Sequence, residues 1–360
     1  SQLLAAISNS IPTIAIGGTS GKSTTTAMIF HILQTCGKDP SLITGAGLSS
    51  LQKQGMSGNA WVGKGNWLVI EADESDGSIV NYTPEIGVVL NIDRDHKEFH
   101  ELLELFTTFK HNTLSHFIVN QNCERAKTLS QNSDNDFGIE NSAGIYGYDF
   151  TQNGFSISFF IKNEQCTIPV LGKHNMENAL AALSVSVQVG IPLVDAIRAL
   201  SSFEGIYRRT QLVGHVAEKN IYVIDDFAHN PSEVAAAISA CQNIAPRVIA
   251  WFQPHGFGPL KFMYKDLAHE LIATLREQDV FCISDVYYAG GTVDKNIEPR
   301  IVSDTIQANG KHALYTGKKE DFLIQVPLII QRNDILLIMG ARDPHLDVFA
   351  KQVFEIIQVS

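Results

Sequence analysis

The sequence predicts an α/β protein with mostly parallel sheets, divided into two domains at residues 1–204 and 205–360. Three observations carry that expectation. Short β-branched runs alternate with longer segments of helical period along both halves, as when crossover helices return successive strands to one sheet. The strand-like runs are apolar throughout, which suits strands covered on both faces. The chain has 360 residues, a length of about two domains, and the rhythm lapses once before it restarts.

Residues 13–17, 67–71, 87–92 and 116–120 read as buried strands, with helices at 22–34 and 98–109 between them. Residues 155–161 and 165–170 alternate instead and are separated by three residues, which predicts an antiparallel hairpin at the sheet edge. Helical pattern returns at 175–189 and 193–202, punctuated by Gly190-Ile191-Pro192. Residues 203–214 hold Gly205 and a basic pair but no period, which places the domain boundary there. Strands at 221–224, 247–252, 280–284, 312–315 and 334–339 then alternate with helices at 231–241, 261–275, 300–308 and 347–357. No internal repeat or low-complexity tract interrupts either half, and each is long enough to bury its own core.

Composition narrows the function classes. Hydrophobic residues make up 44% and charged residues 18%, as in a globular chain. The net charge of −11 removes an overall basic footprint, so no nucleic-acid partner is expected. No apolar run approaches the ~20 residues that span a bilayer, and the first residues lack the basic and apolar regions of a signal peptide. Five scattered cysteines form neither a disulfide framework nor a CxxC metal site, which favours a reducing cytoplasm.

The strand at 13–17 runs into Gly17-Gly18-Thr19-Ser20-Gly21-Lys22-Ser23, which opens a helix. Glycines there let backbone N–H groups face phosphates, and the helix N-terminus adds its dipole. Lys22 would sit on the β- and γ-phosphates and the Ser23 hydroxyl on Mg²⁺. The spacing departs from GxxxxGK[ST], because the first glycine would fall at Ile16; a Gly-rich turn is the plain alternative. Residues 67–71 end in Glu71-Ala72-Asp73-Glu74-Ser75-Asp76, where a carboxylate at a strand's C-terminal end suits a metal or water ligand. A solvated acidic loop is the alternative there.

Gly18-Thr19-Ser20-Gly21-Lys22-Ser23-Thr24-Thr25-Thr26 resembles the shortened phosphate loop of the Mur ligase family, the ATP-dependent amide-forming enzymes of peptidoglycan precursor synthesis. The acidic block at Glu71 resembles that of the family's L-alanine-adding branch, and a branch that recycles a muramyl tripeptide carries it too. Asn91-Ile92-Asp93-Arg94-Asp95-His96 is similar to the family's Asn-x-x-x-Asp-His stretch. The resemblance implies that ATP contacts Gly18, Thr19, Ser20, Gly21, Lys22, Ser23 and Thr24. It implies Ser23, Glu71 and His96 as Mg²⁺ ligands. Lys110, fourteen residues past His96, matches a lysine that several branches carbamoylate into an anionic metal ligand, although the L-alanine-adding branch generally lacks it.

Gly172-Lys173-His174-Asn175-Met176-Glu177-Asn178-Ala179 resembles the family's Gly-x-His-Asn-x-x-Asn-Ala motif. There Asn178 would read the adenine edge, while Asn175 is expected to cap the following helix. Gly205-Ile206-Tyr207-Arg208-Arg209 resembles the hinge motif, with Arg209 reaching the ATP phosphates on closure. Asp225-Asp226-Phe227-Ala228-His229-Asn230-Pro231 resembles the start of the family's last domain; Asp225 or Asp226 would hold the ribose and His229 would face the reaction centre. The fold so implied is α/β, a phosphate-loop central domain with a mostly parallel sheet plus a Rossmann-like α/β C-terminal domain.

Two departures qualify the match. Residues 1–10 look like the helix leading into the phosphate-loop strand, so the family's N-terminal domain, which binds the donor's uridine diphosphate, is expected to be missing or supplied by a partner. Phe252-Gln253-Pro254-His255 is followed by Gly256 and Pro259 where the L-alanine-adding branch has arginines for the incoming carboxylate; Lys261, Lys265 and Arg342 are candidate substitutes. The resemblance implies a cytoplasmic ligase with ATP, a carboxylate donor and an amine acceptor as substrates. A folate-type ligase with a different donor and a non-catalytic ATP-binding subunit are the alternatives; Lys22, Glu71 and His96, all present, speak against the second.

Overall fold

The computed structural model describes residues 2–93, 98–140, 143–288, 290 and 295–360. It consists of two compact units, Ser1–Tyr207 and Arg208–Ser360.

In the first unit, α1 (Gln2–Ser8) leads to β1 (Thr13–Gly17), α2 (Lys22–Thr35), β2 (Ser41–Ile43), α3 (Ser49–Gln52), β3 (Ala60–Trp61) and β4 (Leu68–Glu71). Then follow β5 (Ile86–Val89), α4 (Phe99–Asn112) and β6 (His116–Val119). These strands form one sheet in the order β3-β2-β4-β1-β5-β6, parallel except for β3. β1 and β5 are buried at every residue, which explains their unbroken apolar sequence. The C-terminal ends of β4, β1 and β5 therefore lie side by side, with Ile16 in register with both Glu71 and Val88.

A second sheet holds β7 (Phe137–Ile139), β8 (Ile145–Asn153), β9 (Ser156–Ile161) and β10 (Glu164–Ile168), in the order β10-β9-β8-β7. The alternating hairpin expected at the edge of the main sheet is β9 and β10, and it belongs to this separate sheet. Only one face of it is buried, so alternate residues Ile157, Phe159 and Ile161 enter the core against α5 (Lys173–Gln188) and the others meet solvent. α6 (Leu193–Leu200) completes the unit.

The second unit runs β11 (Gln211–Val216), β12 (Ile221–Asp226), α7 (Pro231–Gln242), β13 (Arg247–Phe252), α8 (Phe257–Thr274), β14 (Val280–Ser284) and α9 (Arg300–Ala308). β15 (His312–Gly317), α10 (Lys319–Ile329), β16 (Asp334–Met339) and α11 (Leu346–Val359) follow. The sheet order is β11-β12-β16-β13-β14-β15, with β11 alone antiparallel. The last strand thus inserts between the second and third, and every residue of β16 is buried. Trp251 anchors one face of the sheet against Phe322 and Phe349, at ring distances of 5.8 and 4.8 Å. β11 and α10 carry no clear sequence signal: β11 is bulged between Leu212 and Gly214, and α10 contains Pro327.

Candidate functional site

In the first unit the loop after β1 is built where three strand ends meet. Gly18 has φ +134° and a Cβ there would lie 3.0 to 3.1 Å from Leu90 and Asn91; Gly21 has φ +88° and a Cβ 2.4 Å from Asn178 Oδ1. Only glycine meets both demands. The loop is tied to the segment after β5, where Ser20 N donates to Asn91 Oδ1 at 2.8 Å and Asn91 Nδ2 donates to the Ser20 carbonyl at 3.0 Å. The Asp93 amide donates to the Thr19 hydroxyl at 2.9 Å, and that hydroxyl donates to the Asp93 carbonyl at 3.1 Å. Ser23 and Thr24 follow in the first turn of α2, both buried.

Lys22 curls back so that Nζ donates to the Gly18 carbonyl at 2.7 Å and to both oxygens of Glu74, at 2.9 and 3.2 Å. Glu74 is only 4% exposed. Burial alone would lower the lysine's pKa, but the charge and hydrogen bond of Glu74, helped by Asp73 and Glu71, raise it, so Lys22 is a firmly held cation. Glu71, at the end of β4, accepts from the Thr44 hydroxyl and from Gly45 N, the latter at 2.8 Å.

Beneath the loop, Thr25 Oγ1 donates to Asn178 Oδ1 at 3.2 Å and Asn178 Nδ2 donates to Asn175 Oδ1 at 2.9 Å. Asn178 is thereby a brace against Gly21 as well as a candidate nucleotide contact. Asn175 does not cap α5, contrary to expectation. It lies inside the first turn, Gly172 holds the N-cap position, and Asn175 Nδ2 donates back to the Leu171 carbonyl at 2.7 Å. Lys110 stands half-buried in the last turn of α4 with no side-chain hydrogen bond or ion pair among the described residues. His96 lies outside the described residues.

The residues present fit ATP and Mg²⁺. A glycine-shaped loop opens a helix of fourteen residues, a held cation stands beside it, and the hydroxyl of Ser23 and carboxylate of Glu71 are hard oxygen donors of the type Mg²⁺ takes. Among the described residues no cluster of three His, Cys, Asp or Glu side chains is assembled for a metal.

In the second unit the segments after β12, β16 and β13 converge at the point where the strand order reverses, the usual place for a ligand crevice in an open α/β sheet. Gly340 N donates to the Asp226 carbonyl at 3.3 Å and Gln253 N to that of Met339 at 3.0 Å. Arg208 is buried there: Nε donates to Asp225 at 2.8 and 3.1 Å and Nη2 to the Gly340 carbonyl at 2.8 Å. Asp225 is accordingly committed to Arg208. Asp226 accepts from Thr210 N at 2.6 Å and Ala228 N at 2.7 Å, and burial pushes its carboxyl up to about 6 despite nearby Arg209. Arg209 is half-buried with its guanidinium 5.0 Å from the Phe227 ring.

His229 follows, its Nδ1 3.0 Å from Glu233 Oε2, with the His255 ring edge-on at 5.2 Å. Asn230 caps α7 by accepting from Glu233 N at 2.9 Å, ahead of Pro231 at the first helical position. Arg342 places Nη1 3.9 Å from where a Cβ on Gly256 would stand. Sequence reasoning missed Glu74, Thr25, Arg208 and Glu233 as members of these sites; Glu233 alone carries a local signal, standing three residues after the Asn230 cap. All five cysteines are free, and among the described residues no helix is long and apolar enough to cross a membrane.

Comparison with known proteins finds relatives of both units. A family model for the Mur ligase middle domain matches residues 16–186, and one for the Mur ligase glutamate ligase domain matches residues 208–342. UDP-N-acetylmuramate–L-alanine ligase of Syntrophomonas wolfei is 31% identical over 366 residues, covering 95% of this chain and 75% of that protein. The protein of the same name from Xylella fastidiosa strain M23 is 33% identical over 351 residues, covering 92% and 72%. The crystal structure of UDP-N-acetylmuramate-alanine ligase MurC from Thermotoga maritima shares the fold at TM-score 0.81 and 24% identity, over 99% of this chain and 78% of that one. A murein peptide ligase from Psychrobacter arcticus shares it at TM-score 0.66 and 20% identity, over 97% and 78%.

Proposed function

The chain belongs to the Mur ligase family, and we propose from that premise that it joins a UDP-N-acetylmuramate-type carboxylate to the amine of an amino acid or peptide at the expense of ATP, in cytoplasmic peptidoglycan precursor synthesis or recycling. The observation that carries the reading is the loop after β1, with Lys22 held between Gly18 and Glu74 and Glu71 at the adjoining strand end. In this reading residues 1–204 hold most of ATP, and residues 205–360 supply Arg209 and the acidic pair to it and serve the acceptor half of the reaction.

A carboxylate is a poor electrophile, so the donor is activated as an acyl phosphate, which the amine then attacks. The loop amides from Gly18 to Thr24 orient the nucleotide's phosphates, and Lys22 neutralises charge that grows on the transferring phosphoryl group. Ser23 and Glu71, with His96 and a carbamoylated Lys110, would hold Mg²⁺, which when bound screens the same charge. Asn178 retains one N–H and one lone pair for the adenine edge. Asp226 is the ribose ligand of the acidic pair, because Asp225 is tied to Arg208. Arg209 reaches the phosphates, and His229 receives the amine's proton. This chain covers 75% and 72% of the length of the two relatives.

A peptide rather than a free amino acid is the second reading for the acceptor, favoured by Gly256 and Pro259 at the arginine positions of the L-alanine-adding branch. Arg342, beside Gly256, is the group that would take an acceptor carboxylate. Phosphate release from Mg-ATP, with UDP-N-acetylmuramate or muramyl peptides as donors and a panel of amino acids and peptides, tests both. Release that needs one muramyl donor and one amine is expected. Release indifferent to the amine would instead describe a plain ATPase.

A further inference from the structure

His229 is gripped at its Nδ1. Its Nδ1 lies 3.0 Å from Glu233 Oε2 and 3.2 Å from the Phe227 carbonyl oxygen. Both partners are acceptors: a carbonyl has no proton to give, and Glu233 stays ionised. Burial would raise the Glu233 pKa, but His229, by its charge when the ring is protonated and by its hydrogen bonds, and the charge of Arg209 hold it below the usual carboxylate range. A ring nitrogen that faces two acceptors carries the hydrogen. The same Oε2 also takes the backbone N–H of His229 at 3.2 Å, so one carboxylate holds the residue by main chain and ring together. Glu233 is itself fixed, its backbone N–H bonded to Asn230 and its side chain 14% exposed. Phe227 and His255 stand edge-on to the ring at 5.8 and 5.2 Å and restrict its rotation.

We infer that Glu233 is a positioning residue for amide formation: with the Phe227 carbonyl it keeps His229 in the Nδ1–H tautomer, which makes Nε2 the nitrogen that accepts the proton of the attacking amine. The inference rests on the amide-forming reading above, which supplies that amine. In the step, the amine lone pair forms the C–N bond to the acyl carbon and one N–H bond breaks, its proton passing to His229 Nε2. Phosphate departs with the electron pair of the C–O bond. The imidazolium left behind faces the Glu233 carboxylate, whose charge stabilises it, as a carboxylate does for the histidine of hydrolase triads.

The tautomer is read without any substrate, from long-range ¹H–¹⁵N correlation spectra of the ¹⁵N-labelled chain at a pH where the ring is neutral. His229 is assigned by its loss in His229→Gln. A ring protonated at Nδ1 in the wild type, losing that bias in Glu233→Ala, is expected; a ring protonated at Nε2 overturns the inference whatever the activity. Glu233→Gln keeps an acceptor oxygen and removes the charge, so it tests the role without unseating the helix cap. It should lower kcat on the order of a hundredfold while leaving KM for ATP unchanged. In the His229→Gln background the same change should add nothing. Additive losses would mean that Glu233 acts only as a capping residue. A wild-type chain that makes no amide would break the reading of the preceding section instead, and the ring spectrum then decides the tautomer by itself.

Discussion

A buried ion pair stands at the candidate site of each unit, Lys22 with Glu74 and Arg208 with Asp225, and the two are built differently. Lys22 and Glu74 meet through a flexible four-carbon stem and a point charge, with 17% of the lysine side chain still exposed. Arg208 and Asp225 meet through a rigid guanidinium whose second nitrogen is bonded to the Gly340 carbonyl, at side-chain exposures of 7% and 3%. An ammonium can trade one anion for another by rotating its stem, whereas a planar fork satisfied on two sides cannot. On the proposed reading, the first pair keeps a cation ready for a phosphate. The second fastens the start of the second unit to the ends of β12 and β16. Burial and opposite charge alone therefore do not tell a cation free to exchange partners from a structural one; the rigidity of the charged group does.

The contrast is open to breakage, beginning with the working cation. Lys22→Ala should abolish phosphate release at any ATP concentration, a loss on the order of a thousandfold or more; activity within about tenfold of wild type would remove Lys22 from phosphate handling. Arg208→Ala should cost the second unit about 3–5 kcal/mol in denaturant unfolding, because it strands a buried carboxylate. Arg208→Lys should recover only part of that, since one ammonium cannot reproduce the fork to Asp225 and Gly340. A melt indistinguishable from wild type would make the pair dispensable.

Asp226, next to the fixed pair, sharpens the comparison through pH. Its carboxyl sits at about 6 against an ordinary 3.8, so its favourable contribution is full below 3.8 and is lost as pH rises through about 6. The difference amounts to about 3 kcal/mol between acid and neutral pH. A ¹³C titration of the Asp226 carboxyl should find its midpoint near 6, and a midpoint at 3.8 would show a solvated group rather than one enclosed by Thr210 and Ala228. The smallest effect is expected at Lys110. Lys110→Ala should slow turnover about tenfold and recover partly with formate or acetate, if a carbamate on that lysine is a metal ligand. An unaffected variant would end the carbamate role.

What could be read beforehand follows the distance between interacting residues. β13, β14, α9 and β16 are contiguous apolar or amphipathic runs, and their bounds agree with the sequence pattern. The phosphate loop is equally local, since its glycines, lysine and hydroxyls fall within residues 17–24. Glu74 is invisible by the same logic: fifty-two positions separate it from Lys22, and in sequence it is one acid in an acidic block. Asn175 misled because an asparagine near a helix start usually caps it, yet here the Leu171 carbonyl offers a partner behind it and Gly172 takes the cap. The second sheet was legible only as its hairpin, because β8 exposes Asp149, Thr151 and Asn153 and gives no apolar run to flag it.

The insertion of β16 between β12 and β13 bears on how the chain comes off the ribosome. Tyr222 and Ile335 are paired neighbours more than a hundred positions apart, and Val248 pairs with the same Ile335 at shorter range. Until Met339 has emerged, β12 and β13 each present an unsatisfied edge, and apolar residues such as Val223 and Ile249 lack a strand on that side. Nascent chains stalled before Asp334 would hold two half-sheets ready to pair with the wrong neighbour, so this unit completes its fold only after β16 has emerged and closes the gap.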